Sequence, residues 1–221
     1  NIVMIYHIDG SYSSFLSKIY QYLLAKRLSL LNRSTCILAI SKYWENYLID
    51  LGFRNTKLIY NGFDLKEFLF SEQEILDFKH QYQLTDKPII YIGNAQVKKG
   101  AVKSYEALKN LDAHLVTSGR PLVDIPTLNL ELNYRDYLKL LKASSVVVTM
   151  SLFKEGWCRT AHEAMLCKTP VVGSGSGGMK ELLEGGQQLI CHDFLDLPGK
   201  VLYAIEHSEK LGREGYKYGC Q

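Results

Sequence analysis

Residues 146–173 read VVVTM-SLFKEGWC-RTAHEAMLC-KT-PVVG, and this stretch decides the fold. Val146 to Met150 reads as a strand, Arg159 to Cys167 as a helix and Pro170 to Gly173 as a second strand. Strands separated by helices of this length imply right-handed crossovers and a mainly parallel sheet covered on both faces. The loop between strand and helix, Ser151 to Cys158, lies where open parallel sheets bind ligands, beyond the carboxyl end of a strand. Its free N–H groups and the positive end of the following helix form an anion site, and Gly156 lets a ligand approach the main chain.

Two acids flank that site. Glu155 lies in the loop, and Glu163 is on the helix, where side chains lean back toward the N-terminus and so toward the same cleft. Carboxylates repel a phosphate, but they accept hydrogen bonds from hydroxyl groups. Amide donors for phosphate beside carboxylate acceptors for hydroxyls are what a sugar nucleotide requires. The same acids also fit a plain solvated helix edge, since an acid near a helix start stabilises the dipole by about 0.3–1 kcal/mol.

The alternation extends in both directions. Upstream, strand Ile2–Tyr6, helix Tyr12–Leu31, strand Thr35–Ile40, a helix capped by Ser41 and strand Thr56–Tyr60 precede the turn Asn61-Gly62-Phe63-Asp64. Leu65 to Tyr82 is polar and helix-prone and leads to Lys87-Pro88. The pattern then restarts with strand Ile89–Gly93, helix Ala101–Leu111, strands His114–Thr117 and Thr127–Leu132, and helix Tyr134–Ala143. After the opening unit come helix Met179–Leu183, strand Gln188–Cys191 and a C-terminal helix from Leu197. The expected division is 1–64, a linker 65–87, and 88–221.

Three more loops fall on the same sheet edge. After Gly93 come Asn94, Lys98, Lys99 and Gly100, and a lysine there neutralises a phosphate as a point charge. After Thr117 come Ser118, Gly119 and Arg120. The run Gly173-Ser-Gly-Ser-Gly-Gly178 satisfies the dinucleotide pattern G-x-G-x-x-G, yet it falls late in the sheet rather than at a first crossover. It reads instead as a loop that lets backbone approach a ligand, or as a flexible turn.

Composition narrows the function classes. The 221 residues are 47% hydrophobic and 22% charged, which is globular, and the net charge of +3 is too mild for a nucleic-acid-binding face. The five cysteines lack paired metal-ligand spacing and suit a reducing, cytoplasmic compartment. The apolar runs are shorter than the ~20 residues of a membrane span, and no secretory signal is evident. His162-Glu163 begins like a zinc-protease helix, but Leu166 stands where the second histidine belongs. His7-x-Asp9 reads as a turn or, less simply, a ligand pair. Residues 12–33 form a basic helix that suits either a peripheral membrane contact or an ordinary core-facing role.

Taken together, the segments resemble the retaining glycosyltransferases of family 4, which have the GT-B architecture. Glu155 and Glu163 match the family's Glu, seven residues, Glu signature, and Gly177-Gly178-Met179-Lys180-Glu181 resembles its donor-side glycine loop. Ala39 to Trp44 and Leu58 to Phe68 resemble the segments leading out of its first domain. The resemblance implies an α/β fold of Rossmann-like parallel sheets, with a complete C-terminal domain and a reduced N-terminal, acceptor-side domain, the chain being either a fragment or a naturally small member. It further implies that Glu163 binds the donor ribose, that Glu155 contacts the transferred sugar, and that Gly156, Trp157, Cys158, Arg159 and Thr160 hold sugar and diphosphate through their backbone.

Lys99 matches the family's phosphate-binding lysine, so Glu155 and Lys99 are the expected catalytic pair. Asn94 stands where many members have arginine, a loss that Lys98 or Arg120 is placed to offset, with Ser118 beside them. Cys158 and Lys168 each replace a common glycine. His7 is expected on the acceptor side. The implied reaction is sugar transfer from a nucleotide diphosphate to a glycan, lipid-linked or protein acceptor, with retention and without a metal or other cofactor. No Asp-x-Asp metal motif occurs. A catalytically inactive nucleotide-sugar-binding module is the competing reading, an NAD-dependent dehydrogenase comes third, and the sequence leaves open a homodimer that completes the cleft.

Overall fold

A computed structural model describes residues 2–4, positions 16, 19, 22, 23, 26 and 27, and residues 36–221. The six isolated positions, from Leu16 to Arg27, are helical and exposed. Tyr6 to Gly10, with His7 and Asp9, and the remainder of the expected basic helix lie outside the described residues.

The first elements form a three-stranded parallel sheet of β1 (Ile2–Met4), β2 (Cys36–Ala39) and β3 (Thr56–Leu58), in that order. Helix α1 (Lys42–Asp50) is capped by Ser41, whose hydroxyl accepts from the Trp44 N–H. Trp44 and Leu48 on its inner face pack with Ile37, Ala39 and Phe53.

The segment expected to be merely helix-prone resolves into a single 3-10 turn, Leu65–Phe68, capped by Asp64, and helix α2 (Glu72–Gln81). Ser71 and Glu74 form a reciprocal capping box that starts α2. Arg135 fastens the segment to the larger unit by donating to the carbonyls of Glu67 and Leu69 at 2.8 and 2.9 Å.

The larger sheet holds β4 (Ile89–Asn94), β5 (His114–Ser118), β6 (Leu128–Leu130), β7 (Val146–Thr149), β8 (Val171–Gly173) and β9 (Leu189–Ile190), all parallel, in the order β6-β5-β4-β7-β8-β9. Its strands are apolar runs because both faces are covered. Ile89, Tyr91, Val147 and Val171 face α4 (Tyr134–Ala143), α5 (Arg159–Leu166) and α6 (Met179–Gly185). Ile90, Ile92, Val146, Val148 and Val172 face α3 (Ala101–Leu108) and α7 (Leu197–Glu206). Strand order reverses between β4 and β7, so the loops after these two strands diverge and leave a crevice at their carboxyl ends.

The expected single C-terminal helix is two. It breaks at His207 (φ −105°, ψ 23°) and resumes as α8 (Ser208–Gly219). The turn lays Gly215 and Gly219 against α5 and Gly212 against the turn that ends it, where a Cβ on Gly212 would stand 2.2 Å from the Lys168 carbonyl oxygen. His162 joins the two helices: the Trp157 indole N–H donates to Nδ1 at 2.9 Å, so Nε2 carries the proton and donates to the Gly219 carbonyl at 2.9 Å. Among the described residues no helix is long and apolar enough to cross a membrane.

Helix α5 ends in a Schellman motif, in which the N–H groups of Lys168 and Thr169 donate to the carbonyls of Met165 and Ala164. Lys168 occupies the left-handed position at φ 59°, where glycine carries no Cβ penalty. Lys168→Gly should therefore stabilise the chain by about 1 kcal/mol, read as a higher midpoint in urea unfolding.

Burial lowers the pKa of His162 below its ordinary 6.5, with partial opposition from the Gly219 carbonyl. Protonation would also set two donors, Nδ1–H and the Trp157 N–H, against each other. The unfolded chain thus binds a proton that the folded chain refuses. This contribution is fully present above pH 6.5 and is lost as pH falls toward the folded value, at no more than about 1.4 kcal/mol per pH unit. Thermal melts from pH 7.5 to 5 should show a smaller drop for His162→Gln than for the unmodified chain.

Candidate functional site

The loop after β7 is held at Glu155. Its N–H donates to the Ser176 carbonyl at 3.1 Å, while its own carbonyl accepts from Gly178 N–H and from the Trp44 indole, both at 2.9 Å. This parallel bridge to Gly177 brings the two loops into backbone contact. A Cβ on Gly177 would lie 2.5 Å from the Glu155 carbonyl oxygen, and one on Gly178 would lie 1.9 Å from that of Gly156. The close approach foreseen between the glycine run and a ligand is thus, at Gly177 and Gly178, an approach to the protein's own main chain.

With its backbone fixed, the Glu155 side chain turns into the crevice, where it is 7% exposed. Oε1 accepts from Lys99 Nζ at 2.7 Å and from the Ser151 hydroxyl. Lys99 arrives from the other side of the switch point, at the end of the turn Val97–Lys99 that follows β4. The two loops are joined where Leu152 N–H donates to the Lys98 carbonyl at 2.9 Å.

Glu163 lies one turn into α5 and is also buried. Arg159 donates to its Oε1 at 3.0 Å, Tyr134 to Oε1 at 3.3 Å and Tyr137 to Oε2 at 3.0 Å. Burial first, and then the Glu163 charge, push the Tyr134 hydroxyl up to about 12. Burial and the neighbouring Tyr91 and Glu163 hold the Tyr137 hydroxyl well above its ordinary value. Both phenols therefore remain protonated donors. The sequence reading missed them, although their i, i+3 spacing at the start of a helix on the binding edge placed them on one face.

Lys99, Glu155 and Gly156 to Thr160 line one cavity of about 240 Å3, joined by Ile40 and Asn61 from the N-terminal part of the chain. Neither acid points into bulk water. A larger hollow of about 400 Å3 lies behind Trp157, beside Tyr60, Phe63 and Tyr218, and no acid–cation pair lines it. Trp157 has its indole turned to His162 and against Tyr60, with the rings 4.8 Å apart.

Cys158 begins α5 in the left-handed conformation, φ 66°, and its side chain makes no cap to the first turn. Burial, reinforced by the Glu155 charge, pushes its thiol up to about 12, so it is no nucleophile at neutral pH.

Other expected residues do not join the cavity wall. The β4–β5 ladder slips between Tyr91 and Asn94, with Gly93 at φ 78°, and Asn94 packs against Gly119. Ser118 is buried, 2.7 Å from the Tyr91 hydroxyl. The side chains of Lys98 and Arg120 are exposed, and neither forms a salt bridge among the described residues.

The N-terminal part adds a contact that no sequence pattern announced: Glu181 on α6 accepts from Lys42 N–H at 2.8 Å and from the Tyr60 hydroxyl. Together with Trp44, it holds the first sheet against the glycine loop.

Over residues 86–207 the chain matches the family described as Glycosyl transferases group 1. It is 38% identical over 69 residues to trehalose synthase of Thermococcus litoralis, a stretch amounting to 31% of this chain and 16% of that protein. It is 31% identical over 113 residues to spore coat protein SA of Bacillus subtilis, which is 48% of this chain and 30% of that protein. Both matches thus span under a third of the relative's length. Among solved structures, Anabaena HepE in complex with UDP-glucose superposes with a TM-score of 0.82 at 22% identity, covering 99% of this chain and 66% of that one. That likeness concerns the fold, and the expected α/β architecture of GT-B type, with parallel strands and helices on both faces, holds. The chain belongs to the glycosyl transferases group 1 family.

Proposed function

We propose that this chain carries the donor half of a retaining family 4 glycosyltransferase, which takes a sugar from a nucleotide diphosphate and passes it to an acceptor hydroxyl. The observation that carries this reading is the pairing of two buried acids, Glu155 and Glu163, with Lys99 and Arg159 around the start of α5. The diphosphate lies against the first turn of α5 and Lys99. Glu163 accepts from ribose hydroxyls, with Tyr134 and Tyr137 supporting its carboxylate, and Glu155 accepts from hydroxyls of the transferred sugar. UDP-glucose in the similar HepE supports a uridine donor.

As the glycosidic bond breaks, charge gathers on the terminal phosphate. Lys99 and the N–H groups of α5 are preorganised donors aimed at that charge, and such donors lower the barrier more than flexible ones. In this proposal they do the work of a metal ion, and the reaction is metal-independent. The acceptor comes from the side of Ile40 and Asn61, and a cytoplasmic setting agrees with the free thiols. A second reading, binding without transfer, is favoured by Asn94, which brings no cation to the phosphate edge.

Glu155→Gln separates the two readings, because it keeps the shape of a buried side chain and removes its charge. Transfer or donor hydrolysis should fall by about a hundredfold or more while UDP affinity stays within about threefold. A chain that binds UDP yet shows no turnover before mutation is a binding module. Excess EDTA should leave the rate of sugar release unchanged, and a strict requirement for a divalent ion would contradict the proposed chemistry.

A further inference from the structure

The pair Arg159–Glu163 is unequal. The carboxylate is 4% exposed and the guanidinium side chain 61% exposed, so the acid is fixed in the protein while the base has an open path to solvent. An ion pair with one partner in water is weakly held. If Arg159 leaves, Glu163 keeps the two phenolic donors Tyr134 and Tyr137, which spares it from standing buried and unpaired.

Arg159 also lines the cavity that contains Lys99, and its guanidinium lies 5.5 Å from the Phe63 ring centroid. Each cation of this cavity is therefore engaged by an acid, Lys99 by Glu155 in the cavity wall and Arg159 by Glu163 one turn further along α5. A ligand that offers phosphate to the cations and hydroxyls to the acids replaces both contacts at once. A ligand that offers hydroxyls alone must displace a cation and give it nothing.

Building on the donor-site reading above, we propose that Arg159 is a specificity-determining residue that moves from Glu163 to the diphosphate of the donor, freeing Glu163 Oε1 for a ribose hydroxyl. Phosphate and ribose recognition are then coupled through one side chain. The planar guanidinium suits this exchange, since it presents the same fork of donors to a carboxylate and to a phosphate.

The test is calorimetric titration of the unmodified chain, Arg159→Gln and Arg159→Lys with UDP, UMP and uridine, or with the ADP or GDP series if either binds the unmodified chain more tightly. Arg159→Gln should weaken UDP by about tenfold to a hundredfold, while uridine affinity stays the same or rises, Glu163 being already released. Arg159→Lys should restore part of the UDP loss. A general structural defect would move UDP and uridine by the same factor, and that outcome, or unchanged UDP binding in Arg159→Gln, overturns the proposal alone. Failure of the unmodified chain to bind any of the diphosphates overturns the donor-site reading and this inference with it.

Discussion

The site depends on how the main chain of Glu155 is held. One peptide region receives a hydrogen bond from Gly178, gives one to Ser176 and receives another from the Trp44 indole. These contacts come from the glycine loop after β8 and from α1 of the first sheet, so one residue joins three separate parts of the chain. The constraint has a steric condition. A Cβ on Gly178 would collide with the Gly156 carbonyl and, at 2.6 Å, with the Ser41 hydroxyl. Only a chain without side chains at that point lets the loops and the cap of α1 meet, and only then is the Glu155 carboxylate directed at Lys99.

Charge balance follows from that geometry. An acid taken from water must find donors, because desolvation penalises the ionised form. Glu155 finds Lys99 and Ser151, and Glu163 finds Arg159 and two phenols. Both acids thus carry the contacts that burial demands, and the contacts are of kinds a sugar nucleotide can replace. The same desolvation, reinforced by the Glu155 charge, keeps Cys158 a neutral thiol that serves the shape of the turn.

Behind the cavity, the rigidity of α5 comes from its neighbours. The glycine face of α8 lets the helices approach closely, and His162 spans them with both ring nitrogens engaged. Since Trp157 donates to the same imidazole, the loop that forms the cavity is coupled to the far end of α8. A helix that starts a ligand site is held in this way from the side away from the ligand.

Much of the fold was legible in residues 89–191, because strands buried on both faces are continuous apolar runs and the helices between them carry their own period. Lys99, Glu155 and Arg159 were also legible as neighbours, since the switch-point rule converts a position at a strand end into a place in space. The sequence could not reveal that Tyr134 and Tyr137 reach Glu163, that Trp44 reaches Glu155, or that Glu181 reaches Tyr60, for these contacts cross between elements whose relative placement is set by packing. It likewise could not show the break at His207, where no proline or capping pattern marks the turn and the cause is the glycine face that α8 lays on α5. Local order was therefore written in the chain, because hydrophobic period and turn chemistry act between near neighbours. The partners of the buried charges were decided only by tertiary structure, because they depend on distances that no spacing along the chain encodes.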